Sequence, residues 1–167
     1  ADTGRVRVLS DTDRDGVFDQ SEIYVDKLSY PTAVICYDGG VFVGAAPDIL
    51  YCKDTNGDGR ADIRRVVFTG FGQEVQRAGQ AQLNSFRWGL DNRINVCTNF
   101  SGGLIQRPDV KNSKPVTVRN RGFSFDPRTL HHEAVSGGGQ HGLTIDDWGR
   151  EFRCRNSDPF KFLVYDE

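Results

Sequence analysis

Asp54-Thr55-Asn56-Gly57-Asp58-Gly59-Arg60-Ala61-Asp62 is the stretch whose reading decides the fold. Asp54, Asn56, Asp58 and Asp62 stand at positions 1, 3, 5 and 9 of a loop, with Gly59 at position 6. Alternate oxygen-bearing residues in a tight loop can converge on a hard cation such as calcium, which takes six to eight oxygens. The glycine permits the sharp turn, and Arg60 at position 7 would offer its carbonyl. A close copy lies 43 residues upstream, from Asp11 through Asp13, Asp15 and Gly16 to Asp19 and Glu22. There the expected ligands are Asp11, Asp13, Asp15, the Val17 carbonyl, Asp19 directly or through water, and Glu22 at position 12. The second loop has Arg65 at position 12 and so lacks the closing carboxylate. The plainer reading of both is a solvated acidic turn, but so many carboxylates in so few residues repel one another without a cation.

Working outward, each acidic loop joins two short apolar runs. Arg5–Leu9 alternates as a half-buried strand does and is followed, after its loop, by Ile23-Tyr24-Val25. Ile49-Leu50-Tyr51-Cys52 and Val66-Val67-Phe68 flank the second loop. Between these hairpins stands a tighter one, Thr32–Tyr37 and Val41-Phe42-Val43 around Asp38-Gly39-Gly40, whose Asp-Gly pair supplies positive φ. It recurs as Ser85–Leu90 with Ile94–Cys97 and as Gly142–Ile145 with Glu151–Cys154. The turn aspartates 38, 91 and 147 are spaced by 53 and 56 residues. A further outer pair, Gly122–Phe125 and His132–Val135, turns at Asp126-Pro127-Arg128-Thr129. No segment carries sustained helical periodicity.

The expected fold class is therefore all-β, with four-stranded repeats like those of a β-propeller: an inner hairpin with a short turn, then an outer hairpin with a longer one. A β-sandwich would not alternate turn types so regularly. The segments are 5–28, 31–71, 82–136 and 140–167, about three blades or half of a six-bladed ring. The stretch from Ser101 to Pro115 reads as an insertion. Arg5–Asp11 and Phe160–Asp166 occupy the same place in the repeat. Open ends of this kind expose sheet edges, so a homodimer or a longer polypeptide is expected.

Composition narrows the partners. The 167 residues suffice for a real core, and a net charge of −2 leaves no basic excess for nucleic acid. No apolar run reaches the length of a membrane span. Cys36, Cys52, Cys97 and Cys154 show no Cys-x-x-Cys spacing, and buried free thiols are the expectation over disulfides, the alternative.

Asp54–Asp62, Asn84-Ser85-Phe86-Arg87-Trp88-Gly89-Leu90-Asp91-Asn92, and Ser136–Gln140 through Asp146-Asp147-Trp148-Gly149 together resemble the propeller of planctomycete-type membrane-bound dehydrogenases. That family is similar in turn to soluble glucose/sorbosone dehydrogenases that use pyrroloquinoline quinone (PQQ). The resemblance runs across essentially the whole chain. It implies a six-bladed propeller in an exported, periplasmic or extracellular protein, and a sugar or other small-molecule substrate. The chain spans about half such a propeller and has no Cys-x-x-Cys-His haem site.

Two functions follow: a quinone-dependent sugar or alcohol dehydrogenase domain, or a non-catalytic calcium-stabilised module that binds a glycan or protein. In a propeller, Asn84, Ser85, Arg87, Gln140 and His141 would line the channel. His141 is the candidate general base, because imidazole titrates near neutrality; as a strand cap it would do no chemistry. Arg87 and Arg93 are the cations placed for a quinone's carboxylates. Trp88 and Trp148 are expected to pack between blades, His131 and His132 to be exposed. Gly137-Gly138-Gly139 precedes no helix and is a poor phosphate cradle.

Overall fold

The computed structural model describes residues 3–72 and 82–164. Tyr165 and Asp166, the end of the expected last strand, lie outside them. The described residues form fifteen strands and no helix. Every pairing between them is antiparallel.

β1 (Gly4–Ser10) and β2 (Gln20–Leu28) make a hairpin around the first acidic loop. β3 (Pro31–Tyr37), β4 (Gly40–Ala45), β5 (Asp48–Lys53) and β6 (Ile63–Phe71) follow one another in a second sheet, with the second acidic loop between β5 and β6. The third sheet orders β7 (Asn84–Trp88), β8 (Ile94–Cys97), β11 (Gly122–Phe125) and β12 (His132–Val135). The fourth contains β13 (His141–Ile145), β14 (Glu151–Arg155) and β15 (Asp158–Leu163). The expected outer pair 122–125 and 132–135 matches its strands residue for residue.

The insertion departs from expectation. β9 (Gly103–Gln106) and β10 (Val116–Thr117) pair with each other and extend the second sheet by adding to β6, so that sheet has six strands. The segment leaves the third sheet between β8 and β11 and covers an edge of the sheet before it, removing unpaired backbone groups.

Alternation sets the packing. On β4, Phe42 turns one way while Val43 turns the other. Phe42, Phe68, Ile94, Val96, Phe123 and Phe125 are all almost fully buried in the core between the second and third sheets. Ring centroids of Phe42–Phe125 and Phe68–Phe123 are each 5.2 Å apart in edge-on geometry, a favourable arrangement for aromatic quadrupoles. Val43, Leu50 and Cys52 bury the opposite face against Val25 and Leu28 of the first hairpin.

The third and fourth sheets meet differently. Glu151 and Arg153 are buried and ion-paired, and Arg153 also donates to the Gly137 carbonyl. Side-chain atoms of Arg153 lie where a Cβ on Gly122 or Gly139 would stand. Glycine is required there by close approach.

The cysteines are all free, but only Cys52 and Cys97 are buried; Cys36 is exposed and Cys154 half-buried. Cys36 lies on β3, where alternation leaves Val34 and Cys36 outward, which corrects the expectation of four interior thiols. No helix among the described residues is long and apolar enough to cross a membrane.

Candidate functional site

The register brings the functional loops to one end of the sheets. Tyr37, Gly40, Lys53 and Ile63 are successive cross-strand partners. The Asp38-Gly39 turn and the acidic loop 54–62 therefore leave the second sheet at the same end.

In the first loop, carboxylate oxygens of Asp11, Asp13 and Asp15 lie within 4.8 Å of one another. The Asp11 carboxylate accepts from the Asp15 and Gly16 N–H groups at 3.2 and 2.9 Å. Those bonds hold Asp11 while Asp13 and Asp15 remain exposed. Hydrogen bonds from Thr12 hold the Asp19 carboxyl below the usual carboxylate range, its hydroxyl contributing more than its N–H. This donor set fits calcium: three converging carboxylates on a loop closed by its own backbone.

The second loop is more fully tied by its own groups. Asp54 accepts from the N–H groups of Asn56, Gly57 and Gly59 at 3.0, 2.7 and 2.9 Å, and its pKa is lowered, chiefly by the Gly57 bond. Asp62 accepts from the Thr55 N–H and hydroxyl, both at 2.8 Å, which lowers its pKa as well. Asn56 Nδ2 donates to Asp62 at 3.0 Å. Asp58 accepts from the Arg60 N–H at 2.8 Å. The Arg60 carbonyl is not among the groups engaged by these bonds.

Glu22 and Tyr24 tie the two loops together. A Cβ built on Gly59 would stand 2.6 Å from Glu22 Oε2, so the carboxylate at position 12 of the first loop lies against the second. Glu22 Oε1 accepts from Gln20 at 2.9 Å. Tyr24 Oη accepts from the Asp54 N–H at 3.0 Å, and the Tyr24 carbonyl accepts from the Ala61 N–H at 3.0 Å. Partial burial raises the Tyr24 pKa. Sequence spacing gave no signal for these cross-hairpin contacts, because they depend on how one sheet stacks on the next.

The expected channel residues come together between β7 and β13, but mostly as a brace. Asn84 Nδ2 donates to the carbonyls of Gln82 and Gln140, each at 3.0 Å. Ser85 donates to the Asn84 side chain at 2.8 Å, and Gln140 Oε1 accepts from the Asn156 N–H at 3.2 Å. His141 opens β13, half-buried, with its carbonyl accepting from the Cys154 thiol. Arg87 is exposed beside a cleft of about 500 Å³ lined also by Thr144, Phe152, Cys154 and Phe160. Arg93 is committed elsewhere, donating to Ser124 at 3.0 Å and pairing with Glu133 at 2.9 Å.

Three expectations are corrected. Trp148 is 76% exposed, and Trp88, 41% exposed, packs against the neighbouring sheet only in part. Trp148 flanks a tight turn at the end of the fourth sheet, whereas Trp88 ends β7 and its ring rests 6.1 Å from that of Tyr37 in the second sheet. His132 is half-buried, its ring 4.9 Å from that of Phe68 and 5.6 Å from that of Phe123, because alternation on β12 turns it inward. Burial depresses its pKa. His131 is exposed, as expected.

The fold and these loops define an all-β protein of stacked antiparallel sheets carrying paired acidic loops at one end. Across residues 1–167 the sequence matches the family described as Domain of unknown function (DUF7133), and the chain belongs to that family. No curated protein and no solved structure matches it.

Proposed function

We propose that the chain is a calcium-stabilised β-propeller module in which the two acidic loops each bind one ion. The convergence of the Asp11, Asp13 and Asp15 oxygens carries this reading. The run of successive antiparallel strands β3 to β6, with short inner and long outer turns, supports the propeller, as does the four-stranded order β7, β8, β11, β12 of the third sheet. Both loops join outer strands, so calcium there stiffens hairpins rather than taking part in chemistry. The natural setting is periplasmic or extracellular, where modules with calcium sites in the 10⁻⁴–10⁻³ M range operate. Phe160 and Phe162 on the outward face of the last sheet are 71% and 45% exposed. They are to be covered by a further sheet, from more polypeptide or from a second copy. Light scattering with calcium present reads the second possibility. Calorimetric titration tests the main reading: two ions per chain are expected, one after Asp15→Ala or Asp58→Ala, and a titration without heat or stoichiometry would refute it.

The second reading is a PQQ-dependent sugar or alcohol dehydrogenase. Arg87 at the cleft favours it. A quinone bearing several carboxylates needs converging cations, and with Arg93 paired to Glu133 the candidate set supplies Arg87 alone. The residues present do not fit that cofactor. Asn84 and Gln140 are engaged in bracing bonds, which favours the binding module. A dye-linked oxidation screen with added PQQ tests the enzyme reading. Quinone-dependent turnover lost in His141→Ala would restore it.

A further inference from the structure

Two strands among the described residues keep an open edge beside exposed apolar side chains. β15 pairs only with β14, and β1 only with β2. Phe152 and Phe162 are cross-strand partners, and alternation puts Phe160 on their face, opposite buried Glu151 and Arg153. The three rings form one patch, with centroids 5.4 Å apart for Phe152–Phe160 and 5.2 Å for Phe152–Phe162. On the first hairpin, Tyr24 and Arg64 seat β2 over the β5–β6 hairpin. The open edge of β1 therefore points over β3 and β4. A groove of about 610 Å³ lies there, with Val6 and Val8 on one wall and Val34, Cys36 and Val41 on the other. It continues the core that buries Val25, Leu28 and Val43, yet its Val8 and Val34 are exposed.

Strand directions decide how patch and groove can meet. The Trp88 ring lies 6.1 Å from that of Tyr37, and Leu90 Cδ1 lies 3.3 Å from where a Cβ on Gly149 would stand. The inner turns of the second, third and fourth sheets thus share one end. Glu22 against Gly59 places the β1–β2 loop at that end too. β13 runs toward it, β14 away and β15 toward it again, as β1 does. Laid side by side in one sheet, β15 of one copy and β1 of another are parallel, a permitted pairing. Phe152, Phe160 and Phe162 then face the same way as Val6 and Val8, over Val34 and Cys36. The number of sheets selects how many copies join. The chain has four sheets, and merging the fourth of one copy with the first of the next leaves three per copy. Propellers close with roughly four to eight blades, so one copy supplies too few sheets, three copies too many, and two the right number. We infer that the Phe152–Phe160–Phe162 patch of one copy seats in the β1–β3 groove of a second copy, and that two such contacts close a ring. The contact is head to tail, and closure removes every open edge it uses. The inference rests on the propeller reading and commits its open face to one partner.

Sedimentation velocity on the calcium-loaded chain across the micromolar range should show a monomer–dimer equilibrium with no larger species. Phe160→Asp spoils the patch and Val34→Asp the groove. Both positions are exposed in the single chain, so the melting temperature of the monomer should hold. Each variant alone should weaken association at least about tenfold. A mixture of the two should dimerise again, because the intact groove of the first meets the intact patch of the second. Cys36 gives a separate readout, since its thiol is exposed and lines the groove. Its chemical modification should be slow in the dimer and fast in either variant, with Cys36→Ser identifying the signal. A monomer at every concentration, open chains of more than two copies, a dimer indifferent to both variants, or no rescue on mixing overturns the inference. Calcium titration of the same samples separates the readings. Calcium bound by a chain that stays monomeric refutes the contact alone, while a dimer that binds no calcium refutes the calcium reading alone.

Discussion

The two acidic loops share a spacing and differ in what they lean on. The first, between β1 and β2, gathers Asp11, Asp13 and Asp15 with few cross-bonds to the rest of the chain. The second, between β5 and β6, has Asn56 in place of a third clustered carboxylate. It spends Asp54 and Asp62 on its own backbone and on Thr55. It is also docked on the first hairpin through Tyr24, while Arg64 donates to the carbonyls of Asp26 and Lys27 at 2.9 and 3.0 Å. Charge repulsion makes the first loop the one that most needs a cation, and neighbouring structure makes the second nearly self-sufficient. One motif thus yields two loops whose carboxylates are compensated to different degrees by the surrounding structure.

The largest effect expected from this contrast is on thermal stability. A ligand held at a hundredfold excess over its dissociation constant adds about 2.7 kcal/mol per site, or about 5–10 °C for a domain of this size. Melting curves with calcium and with chelator should differ by at least that much. Asp13→Ala should remove most of the gain and Asp58→Ala less. Equal losses from the two variants would break the comparison, and an unchanged midpoint would remove calcium from it.

A smaller effect concerns order of loading. Asn56→Asp adds a third clustered carboxylate to the second loop and should tighten its calcium binding while loosening the loop without metal. Two-step titration curves in the parent chain should merge toward one step in the variant. Should the variant bind more weakly, the Asn56 Nδ2 bond to Asp62 matters more than charge.

Much of this was legible in the sequence for physical reasons. The 43-residue offset between the loops, and the Asp-Gly turn whose φ values are +46° at Asp38 and +71° at Gly39, are local signals. They require no knowledge of the neighbouring sheet. Strands β11 and β12 were likewise marked by their own alternation. What the sequence hid depends on stacking. His132 reads as exposed beside His131 until Phe68 and Phe123 close on it. The insertion at 101–115 looks like slack, yet β9 completes another sheet's edge. Glu22 is spaced for its own loop but lies against Gly59 of the next. Trp88 and Trp148 follow the same rule in reverse. Their size suggests interior packing, yet Trp148 is left outside at its turn and Trp88 is only partly covered by Tyr37.

The docking of the second loop can be weakened by one atom. Tyr24→Phe removes the hydroxyl that accepts from the Asp54 N–H and keeps the ring. A single neutral hydrogen bond contributes about 1 kcal/mol, so the melting temperature should fall by about 2–4 °C. Calcium affinity should drop at the second loop and hold at the first. Equal changes at both loops would mean that Tyr24 supports the hairpin as a whole.

The smallest expected effect separates the loops by acid. In the second loop hydrogen bonds hold Asp54 and Asp62 below the ordinary aspartate value of 3.8, and in the first they do so for Asp19. Carboxylates depressed in the folded state bind protons more readily when unfolded. Their contribution is therefore complete above pH 3.8 and is lost as pH falls through the folded values. His132 acts over a higher range. Burial lowers it from 6.5, so the unfolded chain takes up its proton first and stability declines as pH drops below about 6.5. A metal-free chain should thus lose stability in two stages on acidification. His132→Gln should erase the upper stage and leave the lower one. Thr55→Ala removes the hydroxyl bond to Asp62 but keeps the larger N–H contribution, so it should shrink the lower stage, whereas Thr12→Ala removes the chief cause of the Asp19 depression and should shrink it more. Melting temperatures between pH 7 and 3 in chelator measure all three. A larger loss from Thr55→Ala would mean that the Thr55 hydroxyl, and not its N–H, holds Asp62.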